Sequence, residues 1–276
     1  MSLAGRDRSV ILRVAPEEAR QFRSERHLMR NEYASQPWLV VIAPLMPRVL
    51  VADWSHQVIG RDWMIQTHLD GVPAPEQLGT YPRTAWPAFF RQMGTVARSV
   101  HDMRGPHFGP VGSPGHGTWS EAVITSLEEI AADLDGAGLD AADVRKVAAV
   151  AAHERAVLNE VTEPRLLTGD LWTVNVMLDA EAEEPTITGV LDMDRAWWGD
   201  PAADWTIRMA LAKQDERVAF WETYGKRDRS PAVVWRSLVY EVRHLGAVRL
   251  ERHRLGNAAG VKNTYDAVAA VLADLS

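Results

Sequence analysis

The chain predicts an α+β fold of two lobes, with a small mixed-sheet lobe in front and a large, mainly helical lobe behind. Three observations predict it. Short β-rich runs crowd the stretch before residue 70. Asp70-Gly71-Val72-Pro73 is a turn signal. Beyond it apolar residues recur at helical spacing, at Phe89, Met93, Val96, Ala97 and Val100, and again at Leu238, Val242, Leu245 and Val248. The boundary is therefore placed at the turn, with residues 1–69 in front and residues 70–276 behind.

In chain order, Val10-Ile11-Leu12-Arg13-Val14 reads as a strand that Pro16 stops. Good helix formers fill residues 17–33, and Pro16 suits the first turn of a helix over that span. Residues 48–54 and 62–67 are β-branched or aromatic runs and read as two further strands. In the rear part, residues 119–134, 141–158 and 266–275 read as helices, and residues 186–191 as a strand. Gly, Pro and His dominate residues 104–118, which predicts a loop. There is no internal repeat.

Composition excludes several classes. A net charge of −7 argues against general binding to nucleic acid or anionic membrane. The chain has no cysteine, which removes disulfides, thiolate zinc sites and cysteine nucleophiles. Its nine histidines include no pair at metal-ligand spacing. The start carries no apolar signal region, and Pro44, Pro47 and Arg48 interrupt the most apolar stretch, residues 38–52. A cytoplasmic protein is expected, monomer or homodimer, without nucleic-acid or membrane partners.

The chemistry concentrates in two segments. Residues 167–179 read Leu-Thr-Gly-Asp-Leu-Trp-Thr-Val-Asn-Val-Met-Leu-Asp, and residues 190–201 read Val-Leu-Asp-Met-Asp-Arg-Ala-Trp-Trp-Gly-Asp-Pro. Asp170 and Asn175 lie five apart on a tight loop after a short strand, and Asp192 ends a second strand. A lone loop aspartate is ordinarily a turn or cap residue. Carboxylate, amide oxygen and second carboxylate in this order are instead the equipment for holding Mg²⁺ against a phosphate tail and orienting an attacking hydroxyl.

These two segments resemble the aminoglycoside phosphotransferase family, which includes choline and fructosamine kinases and shares the protein-kinase-like fold. Its pattern is His-Gly-Asp-x-x-x-x-Asn, a strand ending in Asp, then Gly-Asp-Pro-x-x-Asp. The resemblance implies that Asp170 is the catalytic base and that Asn175 and Asp192 hold Mg²⁺. It puts Arg13 where kinase-like folds have a lysine for the α- and β-phosphates, with Glu32 as its acidic partner and Glu25 as the alternative. Thr67, His68 and Leu69 fall on the hinge whose backbone meets a purine, which makes the front lobe nucleotide-binding. The implied activity is transfer of the γ-phosphoryl of ATP or GTP to an alcohol of an aminoglycoside-like antibiotic or other small molecule.

Further expectations attach to this frame. Thr168 replaces the family's His, which predicts a loop held less firmly. No Gly-rich loop can be read in residues 1–9, so the front lobe is expected to be shortened. Asp194, Trp197 and Trp198, with Trp205, are placed as substrate-cleft or supporting residues, with core packing the plainer alternative for the rings. Asp200 and Asp204 are expected to satisfy amides at a helix start, and His101 to pack or cap. The rival reading is a degenerate pseudokinase that binds nucleotide or a small ligand without turnover. A metal-dependent phosphohydrolase using Asp170, Asp192 and Asp194 comes third, and would need a second metal or a nucleophilic aspartate.

Overall fold

The computed structural model describes residues 9–275. The expectations for Met1 to Arg8, including the missing Gly-rich loop, lie outside the described residues. Three strands, β1 (Val10–Val14), β2 (Val49–Asp53) and β3 (Trp63–Thr67), make the front sheet in the order β1-β3-β2. Where the sequence reading expects a mixed sheet, both of these pairings are antiparallel. Arg13 lies opposite Met64, and Met64 and Gln66 point into the lobe interior.

The helix expected over residues 17–33 does not form as one piece. Two single 3₁₀ turns occupy its first half, and α1 spans only Leu28–Ser35. His27 enters the left-handed region (φ 64°) just before α1, which ends any continuous helix there. Tertiary contacts outweigh propensity. Phe22 packs on the rear-lobe core, and the backbone N–H groups of Arg23 and Ser24 donate to the Asp133 carboxylate at 3.0 and 3.3 Å.

Behind the front sheet, β4 (Val72–Pro73) precedes the short helix α2 (Ala74–Gln77) and the long amphipathic helix α3 (Trp86–His101). A loop containing β5 (Gly109–Pro110) leads into α4 (Trp119–Gly136), whose start carries a capping box between Thr118 and Glu121. The helix expected over residues 141–158 breaks at Glu154 into α5 (Ala142–His153) and α6 (Arg155–Leu158). Asn159 then turns back to accept the Ser120 N–H at the head of α4.

Strands β6 (Arg165–Leu167), β7 (Val176–Leu178), β8 (Ile187–Val190) and β9 (Trp197–Gly199) carry the chemical segments. They form two small sheets, β4-β7-β8 and β5-β9-β6. Helices α7 (Trp205–Ala212), α8 (Val218–Tyr224), α9 (Pro231–Arg254) and α10 (Ala258–Leu275) complete the rear lobe. It holds two apolar cores. One joins α3 and α8 to the β7–β8 hairpin through Phe89, Met93, Leu171, Val176 and Phe220. The other joins α4, α5, α9 and α10 through Trp119, Leu127, Val144, Tyr240 and Val268. The chemical loops run between these two masses, so burial on both sides fixes their backbone.

Candidate active site

The loop from β6 to β7 carries Asp170 and Asn175. Val176 pairs with Val190 across the hairpin, and the Leu191 N–H donates to the Asn175 carbonyl at 2.9 Å. The strand pairing thus brings Asn175 and Asp192 to the same end of one hairpin. Asn175 is buried, and its Nδ2 donates to the Asp170 carbonyl at 2.8 Å, which closes the loop on itself. Asp192 adopts a left-handed backbone (φ 56°). That conformation is unusual for a residue with a Cβ and turns its side chain off the strand line.

Beneath the loop lies a buried aspartate. Asp204 accepts hydrogen bonds from the Thr168 N–H (2.7 Å), the Thr168 hydroxyl (2.8 Å), the Gly169 N–H (3.1 Å) and His101 Nε2 (2.7 Å). The other ring nitrogen of His101 pairs with the Tyr224 hydroxyl at 2.7 Å. Burial would raise the Asp204 pKa, but these hydrogen bonds, His101 first, hold it below the ordinary carboxylate range. The expected looseness from Thr168 is therefore not found. Its hydroxyl and amide share one carboxylate, and Thr206 adds a further hydrogen bond at 3.1 Å. Gly169 is required here: its φ is 80°, and a Cβ would collide with the Arg195 carbonyl.

Asp204 does not make the cap expected of it at its own helix; it reaches back to the loop of Asp170 through Thr168 and Gly169. Asp200 does cap, accepting the Ala202 N–H at 3.0 Å, and also takes the Tyr240 hydroxyl and Arg236 Nε. His101 was legible as more than a cap, because it extends the Met93, Ala97 stripe of α3 by one further turn. A histidine on the buried stripe must find polar partners.

On the front side, Arg13 Nη1 meets both Glu32 oxygens at 2.8 and 2.6 Å, and Arg13 Nη2 lies 3.3 Å from Asp192. Glu32 is buried, whereas Glu25 pairs with Arg254 and Arg195 instead. Sequence reasoning missed Asn31, which knots three segments together. Its Nδ2 donates to the carbonyls of Asp194 (2.7 Å) and Ala196 (2.9 Å), and its Oδ1 accepts the Gly112 N–H (2.7 Å). Nothing in the sequence marks that asparagine apart from its polarity.

Thr67 belongs to β3 and its hydroxyl accepts the Arg48 N–H. The His68 N–H donates weakly to Ser9 at 3.4 Å, and the Leu69 N–H has no partner among the described residues. Leu69 itself packs over Gly189 on β8.

Four carboxylates crowd this region, and among the described residues Arg13 and Arg195 are the cations that act on them. Burial first, then Asp194 and Asp192, push Asp170 up to about 6, against the pull of Arg195. Burial again, with Asp194 and Asp192 adding to it against Arg13, pushes Glu32 up to about 7. Asp194 is raised for the same reasons. Such a cluster lacks positive charge, and the hard oxygen donors of Asn175 and Asp192 fit Mg²⁺, which takes one or two protein ligands beside phosphate and water. Among the described residues no three His, Cys, Asp or Glu side chains converge as a self-sufficient metal cage.

Asp170 and Asp194 open onto a cavity of about 960 Å³ walled by residues 22–31, α4 and α9. Trp197 and Trp205 line it. Trp198 does not: it is buried in the core, edge-on to Trp38 with ring centroids 5.1 Å apart, and Gly105 packs directly against its face. The sequence placed Trp198 one residue too close to the cleft, because alternation along β9 sends neighbouring rings to opposite faces.

The model of the phosphotransferase enzyme family matches residues 3–238. No curated protein matches the chain. Among solved structures, the apo form of a thermostable mutant of aminoglycoside phosphotransferase APH(4)-Ia is 20% identical, with 99% of this chain and 89% of that one covered and a TM-score of 0.66. The GDP complex of wild-type aminoglycoside 2'-phosphotransferase-IIIa is 16% identical over 96% and 86% of the two chains, with a TM-score of 0.63. A ternary complex of thermostable APH(4)-Ia with AMP-PNP and hygromycin B is 20% identical over 96% and 86%, with a TM-score of 0.62. These likenesses establish the two-lobed, protein-kinase-like fold.

Proposed function

The chain belongs to the phosphotransferase enzyme family, and from that premise we propose that it transfers the γ-phosphoryl of a nucleoside triphosphate to a hydroxyl of a small molecule. The observation that carries the reading is the hairpin that sets Asn175 and Asp192 side by side, with Asp170 on the adjoining loop and Arg13 reaching Asp192 from the front sheet. In this reading the front lobe runs to about the hinge at Thr67, His68 and Leu69, and the free Leu69 N–H is available to a purine edge.

Arg13, held by Glu32, takes the α- and β-phosphates of ATP or GTP. Asn175 and Asp192 would hold Mg²⁺, which would neutralise charge on the phosphate tail. Asp170 accepts a hydrogen bond from the acceptor hydroxyl and aligns its oxygen with the γ-phosphorus. As the new O–P bond forms, the bond to the β-phosphate oxygen breaks and the hydroxyl proton passes to the Asp170 carboxylate, leaving the nucleoside diphosphate. The protein's contribution is position and charge. Asp204 and His101 act through Asp170, by fixing its loop. A cytoplasmic site of action follows from the need for a nucleoside triphosphate; among the described residues no helix is long and apolar enough to cross a membrane.

Calorimetry with Mg²⁺-ATP and a phosphoryl-transfer assay test the assignment. Asp192→Ala should abolish Mg²⁺-dependent nucleotide binding, whereas Asp170→Ala should keep binding and lose turnover. Equal loss of nucleotide affinity in both variants would show the roles to be wrong. Arg13 in place of lysine favours the rival, a nucleotide binder without turnover, and binding unaccompanied by transfer in the wild-type protein would select it.

A further inference from the structure

The cavity beside Asp170 holds a guanidinium that the mechanism above does not use. Arg243, on α9, is half-buried and its Nε donates to the Ser126 hydroxyl at 2.8 Å. Its guanidinium lies over the Trp197 ring, 4.2 Å from the centroid. No carboxylate among the described residues lies within ion-pair distance of it, and neither Nη atom has a hydrogen-bond partner. Of the other arginines that line the cavity, Arg254 is engaged with Glu25, Arg30 with Asp62 and Arg23 with Asp133, while Arg26 is exposed to solvent. Arg195 stands close enough for its charge to act on both Asp170 and Arg243, and among the described residues its only ion pair is a long one, 3.7 Å, to the already occupied Glu25.

Two guanidiniums have thus been brought together on the wall of a cavity, one of them flattened on an indole and stripped of counter-charge. Burial, then Arg195, pulls Arg243 down to about 10, the direction expected of a cation short of an anion. Among carboxylates Glu129 acts most on Arg243, and burial with the neighbouring Asp133 raises its own pKa. Arg243 and Arg195 would repel an amino group placed beside them; an oxyanion there would meet a fork of free N–H donors and an aromatic platform.

We propose that the phosphoryl acceptor carries a carboxylate or phosphate group, which Arg243 binds with help from Arg195 while the acceptor's hydroxyl reaches Asp170. The inference rests on the kinase reading for the hydroxyl and on Arg243 for the anion, and its test separates the two. Nucleotide-free protein is melted at constant ionic strength with malonate or inorganic phosphate, as wild type, Arg243→Lys and Arg243→Met. One of the anions should raise the wild-type midpoint saturably, less so in Arg243→Lys and not in Arg243→Met; which anion does so separates the carboxylate from the phosphate source. Midpoints without anion show that each variant folds. Glucuronate, glucose 6-phosphate, glucose and glucosamine are then compared as ligands of matched size, and an anionic member should bind wild type about tenfold or more better than Arg243→Met. Equal shifts in wild type and Arg243→Met, no shift with either anion, or preference for glucosamine would each overturn the proposal. Stabilisation of the wild type by Mg²⁺-ATP, read in the same melts, tests the kinase reading on its own.

Discussion

The floor and the roof of the candidate site solve opposite electrostatic problems. Below the loop, Asp204 is fully buried and every hydrogen bond it can usefully accept is supplied by the chain itself, from Thr168, Gly169 and His101. Above it, Asp170, Asp192, Asp194 and Glu32 press on one another and are left short of positive charge. The floor is complete without a ligand, and the roof is not. A satisfied buried carboxylate holds a shape, whereas a crowd of half-paired carboxylates stores an affinity for whatever cation and phosphate arrive.

That contrast can be broken by removing the floor. Asp204→Ala should lower stability by about 3–5 kcal/mol, because His101 and the two loop amides lose their shared acceptor in a buried site. Chemical denaturation measures the loss, and a change below about 1 kcal/mol would mean that the brace is incidental. Asn31→Ala comes next. It frees two buried carbonyls and one amide, and about 2–3 kcal/mol should disappear together with part of the affinity for Mg²⁺-ATP. Intact nucleotide binding in a destabilised Asn31→Ala would uncouple the knot from the site.

Neutralising the roof should do the reverse. Asp170→Asn should abolish turnover yet stabilise the fold by roughly 1 kcal/mol, since the raised carboxylate costs stability when ionised at neutral pH. A destabilised Asp170→Asn would refute the electrostatic account of the roof. The smallest effect concerns His244, which burial, with Arg243 and Arg208, pulls down to about 3. Its folded form stays neutral while the unfolded chain takes up a proton near 6.5. Stability should therefore fall by about 1 kcal/mol as pH drops from about 7 to about 5.5. In His244→Gln that part of the pH dependence should be missing from the melting curves.

The sequence exposed the roof better than the floor, for a physical reason. Asp170, Asn175 and Asp192 are close in the chain and sit on turns whose spacing a strand–loop–strand unit dictates. The Arg13 and Glu32 pairing was implied by the resemblance to kinase-like folds, with Glu25 left as the alternative. The floor is assembled from His101, Thr168, Asp204 and Tyr224, drawn from four elements, and only packing brings them together. The same holds for Arg243 and Trp197. Residues 17–33 misled propensity because Phe22, Arg23 and Ser24 are claimed by α4, a contact that no local pattern announces. Residues 141–158 split at Glu154, and α6 then ends where Asn159 is claimed by Ser120.

The Asn31 knot also changes what counts as a moving part. Through it α1 is fastened to the backbone at Asp194, Ala196 and Gly112, and the segment before α1 is fastened to Asp133. In mechanical terms α1 therefore travels with the rear body, although the chain places it among the front strands. The front sheet alone is left to tilt, and the seam along which it would slide is crossed by the Arg13–Glu32 and Arg30–Asp62 ion pairs. Any rocking of the sheet away from the helix must stretch both pairs, so a probe placed across either would report the open and shut positions of the cleft.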